Sequence, residues 1–427
     1  MFVSDKIPPG MFLILCVVSL VIPLLILLFL DWVKPGIKYT WLITFLGVIS
    51  SSIFVLLWQV DFPDRIILPP WQPVSLFQFQ SSLLVDSTSW SYSLSLVALA
   101  TAVILTGGMR EERKSISWII TLLYTILGIL AVSAGDPLTL VLVWTALDIV
   151  GLLMGLFLYP NQELGRPIIT AFSLRLLGTG IFLFSSLAGS DLFLPMSYER
   201  VASGPIFLIF LASILRLGIF PLRLQYPDES SSRSGLFTNH RLVTAAAASA
   251  FLARIPGQSL SSAGNLGVFA LFVVISYWAG WKWSSSSNEF DGRPYWILGI
   301  SSLVAISVFI TDPVVNPGIG VMLVISTGLF SLFSSWDRKL IWLPLISLWG
   351  LAALPFSPAA GTWVVRSGMS WLPVLFILPA QSLLLSGFIH HVLHPGGGLI
   401  ALRERWTRIL NGTALGLLFL IMILLGL

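Results

Sequence analysis

Long apolar runs recur along the whole chain, separated by short segments that carry most of the charged residues. Each run is about 20 residues long, which allows a helix to cross the roughly 30 Å hydrocarbon core of a bilayer. Because no water is available there to pair with backbone amides, we expect each run to be an α-helix. The predicted spans are 11–30, 40–60, 87–107, 115–134, 137–158, 168–189, 204–222, 236–254, 265–283, 295–311, 314–334, 340–361, 368–389 and 407–426.

Little of the chain remains for a soluble domain, so residues 1–427 are predicted to form a single polytopic membrane domain. The longest segment between spans, 61–86, contains several prolines and an alternation of apolar and polar residues over 74–80. Such alternation is typical of a β-strand. We therefore expect a short hairpin that lies on the bilayer surface.

The composition agrees with an integral membrane protein. Of 427 residues, 56% are hydrophobic and only 10% are charged, and the mean hydropathy is +0.93. Soluble domains carry about 25% charged residues, so this chain cannot cover a water-soluble surface. A net charge of +4 would suit a nucleic-acid partner in a soluble protein, but here the basic residues lie in short loops beside the spans. They indicate membrane topology, with the lipid bilayer and not nucleic acid as the partner.

Lysine and arginine are distributed unevenly between alternate loops, and this asymmetry predicts the orientation. One set of loops, which begins with the segment around Lys34, carries most of these residues. The other set carries little beyond Arg65, Arg200, Arg254 and Arg366. We expect the first set to be cytoplasmic. With an even number of spans, both termini then lie on the outer side.

The seventh and twelfth apolar runs each contain a proline that we expect to interrupt a helix. Pro221 lies in the seventh span and Pro355 lies in the twelfth. Proline removes a backbone hydrogen bond from a helix interior, so we predict broken helices at both positions. The two spans are five apart and run in opposite directions, which is typical of an inverted-topology repeat around a central site. The predicted repeat halves are about 115–254 and 265–390.

Ionisable residues inside predicted spans are costly in hydrocarbon, so they indicate an ion pathway or a buried pair. Asp148 lies in the middle of the fifth span, Arg175 in the first half of the sixth, and Arg216 in the seventh. His240 and Arg241 begin the eighth. One interpretation is that Asp148 and Arg216 form a structural ion pair that fixes helix packing. The other is that they belong to a hydrated chain of charges that moves protons or sodium.

Arginine limits what such a chain of charges can do. Its guanidinium group effectively never loses a proton in proteins, unlike the ammonium group of a buried lysine. Arg216 can therefore provide a fixed positive charge or bind a carboxylate, but it cannot relay protons. Asp148 and His240 can gain and lose protons, so they are the candidate relay groups.

No pattern in the sequence predicts a metal site or a cofactor. His390, His391 and His394 end the thirteenth span, and the first and last of them share a helix face where a metal could bind. No carboxylate or cysteine lies close to them in sequence, so capping of a helix C-terminus is favoured. The single cysteine, Cys16, excludes an intrachain disulfide and a cysteine-bound cluster. No nucleotide-binding or flavin-binding motif is found.

The segment from Arg216 to Asp228 resembles the signature of the antiporter-like membrane subunits of respiratory complex I and of Mrp-type sodium/proton antiporters. In that family a lysine is followed by small residues, proline, leucine, histidine, a tryptophan-containing pair and Pro-Asp, at the same spacing. The motif positions here are Pro221, Arg223, Pro227 and Asp228.

Other segments resemble the same family in the same order. Residues 136–151 resemble its fifth span, including Trp144, and residues 350–363 resemble its broken twelfth span, including Pro355 and Gly361. Fourteen spans with both ends outside is also the core architecture of the family. The resemblance covers most of the chain.

The sequence departs from the charged relay of the family at three main stations. The glutamate that follows the fifth-span tryptophan in the family is Thr145 here, and the seventh-span lysine is Arg216. The family usually has lysine or glutamate after the glycine of the twelfth span, where this sequence has Thr362. Asp148 lies three residues after Thr145 on the same helix face. It is therefore a candidate to replace the missing acid and to pair with Arg216.

The resemblance implies a membrane-arm subunit that couples quinone-reduction energy to a proton or sodium gradient, in an energy-converting membrane of the bacterial cytoplasmic or thylakoid type. The implied partners are the other membrane subunits of a complex I-like or Mrp-like assembly, which would hold any site of NADH- or other donor:quinone oxidoreduction. Three hypotheses stay open. They are a working ion-translocating subunit, a degenerate structural subunit of a larger complex, and an energy-coupling subunit of an inorganic-carbon uptake system.

Overall fold

The structure is a computed structural model that describes residues 10–34, 39–61, 63–69, 81–107, 115–158, 162–188, 198, 206–217, 235–255, 263–310, 317–333, 340–360, 362–363, 371–394 and 405–427. Within these residues the chain forms fourteen α-helices and a two-stranded sheet. The helices are α1 (Met11–Val33), α2 (Thr40–Leu57), α3 (Ser87–Gly107), α4 (Ser115–Val132), α5 (Pro137–Leu158), α6 (Gln162–Ala188), α7 (Ile206–Leu217), α8 (Gly235–Arg254), α9 (Ala263–Ser284), α10 (Glu289–Ile310), α11 (Pro317–Leu332), α12 (Trp342–Leu351), α13 (Leu372–Leu393) and α14 (Arg405–Gly426).

Each predicted span corresponds to one helix, and the prediction of an all-α integral membrane protein is confirmed. In the described part of the chain, ten helices are long and apolar enough to cross a membrane. Helices α7, α11 and α12 are apolar but shorter. Helix α8 is rich in alanine and packs against α3, α4 and α11. Its small side chains allow these neighbours to approach closely, which places α8 in the centre of the bundle.

The helices form a buried centre and an apolar periphery. Helices α3, α4, α8, α10 and α11 are largely enclosed, and α3 packs against five other α-helices. Helices α1, α2, α9, α13 and α14 instead expose large aliphatic and aromatic side chains. Apolar faces of this extent would be unfavourable in water. They are expected where the surface contacts the hydrocarbon core of a bilayer.

The hairpin predicted before the third span is present. Strands β1 (Asp64–Ile67) and β2 (Ser82–Val85) pair in antiparallel register. On its other edge, β2 bonds to the α4–α5 connection, where the Leu84 amide donates to the Ser133 carbonyl (2.7 Å). Strand β2 is mostly buried, because β1 and this connection enclose it, and the position of the hairpin at the bilayer surface stays a prediction. The alternating segment 74–80 lies outside the described residues.

A polar network joins the ends of α3, α5 and α8 beneath the hairpin. Asp136 precedes α5, and its carboxylate accepts hydrogen bonds from the backbone amides of Thr139 (2.8 Å) and Ser82 (2.7 Å). It therefore caps α5 and holds β2 at the same time. Arg254 at the end of α8 forms an ion pair with Asp86, which precedes α3 (3.2 Å). These three helix ends lie on the same side of the bundle, because consecutive helices run in opposite directions.

The twelfth span is a broken helix, as predicted at Pro355. Helix α12 ends at Leu351 and the chain continues in turns. Within the turns, φ is 55° at Ala353 and 61° at Phe356. Residues other than glycine rarely adopt positive φ, so the surrounding packing must stabilise this segment. The break predicted at Pro221 lies outside the described residues. The repeat halves 115–254 and 265–390 stay a prediction.

The last four carbonyls of α12 all accept hydrogen bonds. Three accept from backbone amides of the following turn, at distances of 2.8–3.3 Å. The fourth, the Leu351 carbonyl, accepts from the side-chain amide of Gln381 on α13. Helix ends normally leave such carbonyls without an intrahelical partner. Here the carbonyls at the end of α12 are paired with amides of the following turn and with one neighbouring side chain.

Candidate ion-translocation site

Four helices bring the predicted intramembrane charges together. Helices α5, α6, α7 and α8 carry Asp148, Arg175, Arg216 and His240, respectively, and each of these helices packs against the next. The four residues expose only 0%, 9%, 2% and 1% of their surface. The cluster is therefore internal to the bundle and does not face the lipid.

Asp148 and Arg216 form a two-pronged ion pair. Arg216 Nη1 donates to Asp148 Oδ2 (2.8 Å), and Nη2 donates to Oδ1 (3.2 Å). The planar guanidinium matches a carboxylate in this bidentate arrangement, which is stronger than a bond between neutral groups. The contact predicted between these two residues is thus present, across 68 positions of sequence.

The remaining contacts of Arg216 hold its side chain in place. Nη1 also donates to Thr179 Oγ1 (2.6 Å), and Nη2 lies 3.4 Å from the Trp144 carbonyl oxygen. The guanidinium carbon lies 4.4 Å from the centroid of the Trp144 ring. This is the geometry of a cation–π interaction, which stabilises a desolvated cation. Trp144, a family-motif position, therefore packs directly on the pair.

Arg175 connects the ion pair to His240. Its Nε lies 3.9 Å from Asp148 Oδ1, and its Nη1 lies 2.9 Å from His240 Nε2. A guanidinium group can only donate, so Nε2 must accept and carries no proton. The imidazole is therefore neutral, with its proton on Nδ1. Asp148 thus lies between two fixed cations, one of which also binds the histidine.

The sequence analysis missed Tyr124 and Gly151, which shape the space around His240. Tyr124 on α4 places the centroid of its ring 4.8 Å from that of His240, in an edge-on contact. A Cβ atom on Gly151 would lie 2.8 Å from His240 Cε1 and 2.9 Å from Tyr124 Oη. Glycine is therefore needed where α5 passes these two rings. Helical spacing offered a signal for Gly151, which follows Asp148 by one turn, but none for Tyr124.

Thr179 was also missed, although it follows Arg175 by one turn of α6. Its hydroxyl accepts from Arg216 and donates to the Arg175 carbonyl oxygen (3.1 Å). The i to i+4 spacing from an intramembrane arginine is the signal that could have identified it.

Other predicted positions make local contacts. Thr145 is half-buried and donates to the Val141 carbonyl (2.8 Å), apart from the ion pair. Arg241 is half-buried next to His240. Thr362 is buried and donates to the Ala359 carbonyl within its own turn (2.7 Å). The positions that lie outside the described residues are Pro221, Arg223, Pro227, Asp228 and Gly361.

In the described residues of α9 to α14, the buried polar side chains differ from those of α5 to α8. The buried polar groups in the middle of α10 and α11 are hydroxyls, including Ser301, Ser302 and Ser326. The charged residues of α9 to α14 lie near helix ends, where Glu289 and Arg293 form an ion pair (2.9 Å) at the start of α10. Among the described residues, the charged side chains in the middle of a helix are therefore Asp148 of α5 and Arg175 of α6.

The histidines that end α13 form a separate group. His391 is buried, and its Nε2 lies 2.9 Å from both the Ser286 hydroxyl and the Trp283 carbonyl. Because a carbonyl only accepts, Nε2 donates and carries the ring proton. His394 Nδ1 lies 3.2 Å from the His390 carbonyl, at the helix end. No group of three or more metal-binding side chains occurs within the described ranges.

Comparisons with known proteins place this fold among membrane complexes. No protein-family model and no curated protein matches the sequence. Many chains of solved structures do match, including the following three. A chain of the membrane-bound sulfane sulfur reductase, an archaeal respiratory membrane complex, has a TM-score of 0.73 and 14% identity, covering 97% of this chain and 76% of that one. A chain of respiratory complex I from Thermus thermophilus has a TM-score of 0.67 and 17% identity, covering 96% and 98%.

The third match is a chain of the Mrp complex from Dietzia sp. DQ12-45-1b, with a TM-score of 0.70 and 11% identity. The alignment covers 98% of this chain and 50% of that chain, so this protein spans about half its length. At these identities the likeness shows the fold. The protein is a polytopic integral membrane protein whose helical fold is shared with chains of respiratory and Mrp complexes.

Proposed function

We propose that this protein is a membrane subunit of a multi-subunit, energy-converting complex, in which the cluster around Asp148 moves protons across the membrane. The observation that carries this proposal is the buried carboxylate of Asp148, held between Arg216 and Arg175, with His240 bonded to the second arginine. Buried ionisable groups in membrane spans are costly, and function is the usual reason for their presence.

The chemistry assigns different roles to the four side chains. The two arginines are fixed cations, because their guanidinium groups do not release protons. Asp148 and the neutral His240 are the groups that can accept one. Protonation of Asp148 removes its charge and weakens its attraction to Arg216. Proton arrival is thereby coupled to a rearrangement of α5 against α7.

Arg175 controls transfer between the two proton carriers. It occupies His240 Nε2, which is the ring nitrogen able to accept a proton. A proton can reach that nitrogen only when the Arg175 side chain moves away. The movement would follow neutralisation of Asp148, since the carboxylate attracts Arg175 as well as Arg216. Sodium is disfavoured as the ion at this cluster, because both carboxylate oxygens of Asp148 already accept from Arg216 and the two arginines repel a third cation.

The complex itself is proposed from the fold. The matched chains belong to a respiratory membrane complex, respiratory complex I and an Mrp complex. We propose that this chain likewise works beside other membrane subunits in an energy-converting membrane, with both of its termini on the outer side. Any redox chemistry would belong to partner chains.

A second candidate function is a structural subunit that does not conduct ions. The asymmetry of the bundle favours it, because within the described residues the centre of the second half contains hydroxyls and no charged group. In that case the Asp148–Arg216 pair would only hold α5 and α7 together.

The test is to reconstitute the purified complex that contains this chain into liposomes and to measure proton uptake with a pH-sensitive dye. For Asp148→Asn, which keeps the shape but removes the charge, we expect transport to fall by at least about tenfold. The control is Asp291→Asn, at an exposed position in the first turn of α10, which should transport normally. Unchanged transport by a fully assembled Asp148→Asn complex would favour the structural role.

A further inference from the structure

A groove lies between α1 and α2 on the outside of the bundle. Its volume is about 540 Å³. Apart from Ser19 and Ser50, its lining consists of apolar side chains and Gly47. The groove opens outward, since two of its lining residues, Ile22 and Leu46, expose 52% and 60% of their surface.

The close contact between Pro23 and Gly47 forms part of the groove. A Cβ atom on Gly47 would lie 2.3 Å from Pro23 Cγ, so a larger residue could not pass the proline ring. Both residues are buried, whereas Ile22 and Leu46, which precede them in sequence, are exposed. The concave shape of the groove therefore depends on two residues, the conformationally restricted Pro23 and the small Gly47.

The chemistry of the lining selects an apolar chain as the ligand. The groove extends from Leu15 to Ile26, about 16 Å along α1, which is roughly half the hydrocarbon thickness of a bilayer. No charged side chain lines it. A quinone ring would need polar partners for its two carbonyl oxygens, whereas this lining offers only Ser50 and Ser19, whose hydroxyl already donates to the Cys16 carbonyl. A hydrocarbon chain needs none.

One end of the same helix pair carries groups that suit a phosphate. Trp32 at the end of α1 is 82% exposed, and Tyr39 before α2 is 69% exposed. Lys34 lies between them in sequence and is exposed as well. Aromatic residues and lysine at the membrane interface contact lipid head groups, and lysine favours anionic ones. Lys34 follows Ile26 by eight residues, about 12 Å along the axis of α1. A lipid whose acyl chain lies in the groove can therefore place its phosphate at Lys34.

We propose that the groove between α1 and α2 binds an acyl chain of an anionic phospholipid whose phosphate contacts Lys34. The site lies on α1 and α2, apart from the Asp148 cluster on α5 to α8. The proposal is therefore independent of ion translocation, and it holds or fails separately. The bound lipid would fill the space beside Pro23 and cover side chains of the groove.

The first test is native mass spectrometry of the full chain in detergent, with added palmitoyl-oleoyl phosphatidylglycerol or the phosphatidylcholine with the same chains. We expect one tightly retained phosphatidylglycerol. Ile22→Trp, which fills the groove, should lower the retained fraction by about tenfold. The matched control is Leu25→Trp, at a similarly exposed position that does not line the groove. Lys34→Gln should remove the preference for phosphatidylglycerol over phosphatidylcholine.

The second test locates the lipid. Phosphatidylglycerol with a photoreactive group in the middle of one acyl chain should cross-link to peptides from α1 and α2, and Leu46→Trp should abolish that cross-link. Equal lipid retention by Ile22→Trp and Leu25→Trp would overturn the proposal. Cross-links confined to other helices, or equal binding of the two lipids by the unmodified chain, would overturn it as well.

Discussion

Both carboxylate oxygens of Asp148 lie within 3.2 Å of guanidinium nitrogens of Arg216, at a position where neither side chain is accessible to solvent. The two charges come from α5 and α7, so the contact is made only when these helices are packed. Each charge would be strongly unfavourable in the bundle without the other. The pair therefore constrains both the assembly of the helices and any charge movement at their centre.

Removing one member of this pair should destabilise the protein more than removing both charges. Arg216→Gln leaves the Asp148 carboxylate buried without its main partner, and loss of a buried partner typically costs about 3–5 kcal/mol. Combining Arg216→Gln with Asp148→Asn removes the unpaired charge, so part of the stability should return. Thermal unfolding of the purified chain in detergent measures both effects. If the double variant unfolds at no higher temperature than the single variant, the unpaired Asp148 carboxylate is not the source of the instability, and the prediction fails.

His240→Gln should separate proton transfer from structure. The amide oxygen of glutamine can accept the hydrogen bond from Arg175 that His240 Nε2 accepts in the native protein. The fold should therefore survive, while proton uptake by the reconstituted complex falls by at least about tenfold, because glutamine does not titrate.

The matched control is His390→Gln, at an exposed position near the end of α13. This variant should retain both stability and transport. Normal transport by His240→Gln would remove His240 from the proposed route and leave Asp148 as its only carrier among these four residues.

Gly151→Ala should disturb the surroundings of His240. The added methyl group would lie 2.8 Å from the imidazole and 2.9 Å from the Tyr124 hydroxyl, so one ring must shift. Overpacking of this kind typically costs about 1–3 kcal/mol. Gly180→Ala on α6 is the control, because its added methyl group would meet no atom within 4 Å. It should be neutral or slightly stabilising, since alanine favours a helix. Equal melting temperatures for the two variants would contradict this packing.

The stability of the protein in alkali should depend on Tyr198. Its hydroxyl donates to the Ala134 carbonyl (2.9 Å), and burial raises the pKa of Tyr198 above that of an exposed tyrosine. In the unfolded chain this group ionises near pH 10. Because the pKa of Tyr198 is raised in the folded state, its contribution to the free energy of unfolding is present below about pH 10 and is lost as the pH rises further.

The matched variant for this prediction is Tyr198→Phe, which cannot ionise. Unfolding temperatures measured from pH 8 to pH 11 should decline more steeply for the native chain than for this variant. Parallel curves would show that Tyr198 does not titrate differently in the folded and unfolded states.

Much of the candidate site could be predicted, because an ionisable side chain in an apolar run is conspicuous. Asp148, Arg175, Arg216 and His240 were identified in this way, and the structure brings all four together. Tyr124 could not be found, since a buried tyrosine in an apolar helix is ordinary and only its contact with His240 makes it relevant.

The sequence alone determined that the chain is a helical membrane protein, where its helices lie along the chain, and where its costly polar groups lie. These features follow from local physics, because hydrocarbon thickness sets the length of each span and backbone pairing requires helices. Only the tertiary structure decided which charges meet, that His240 accepts from Arg175, and that β2 is enclosed. Such contacts join residues far apart in sequence, and they depend on how each helix rotates and packs against its neighbours.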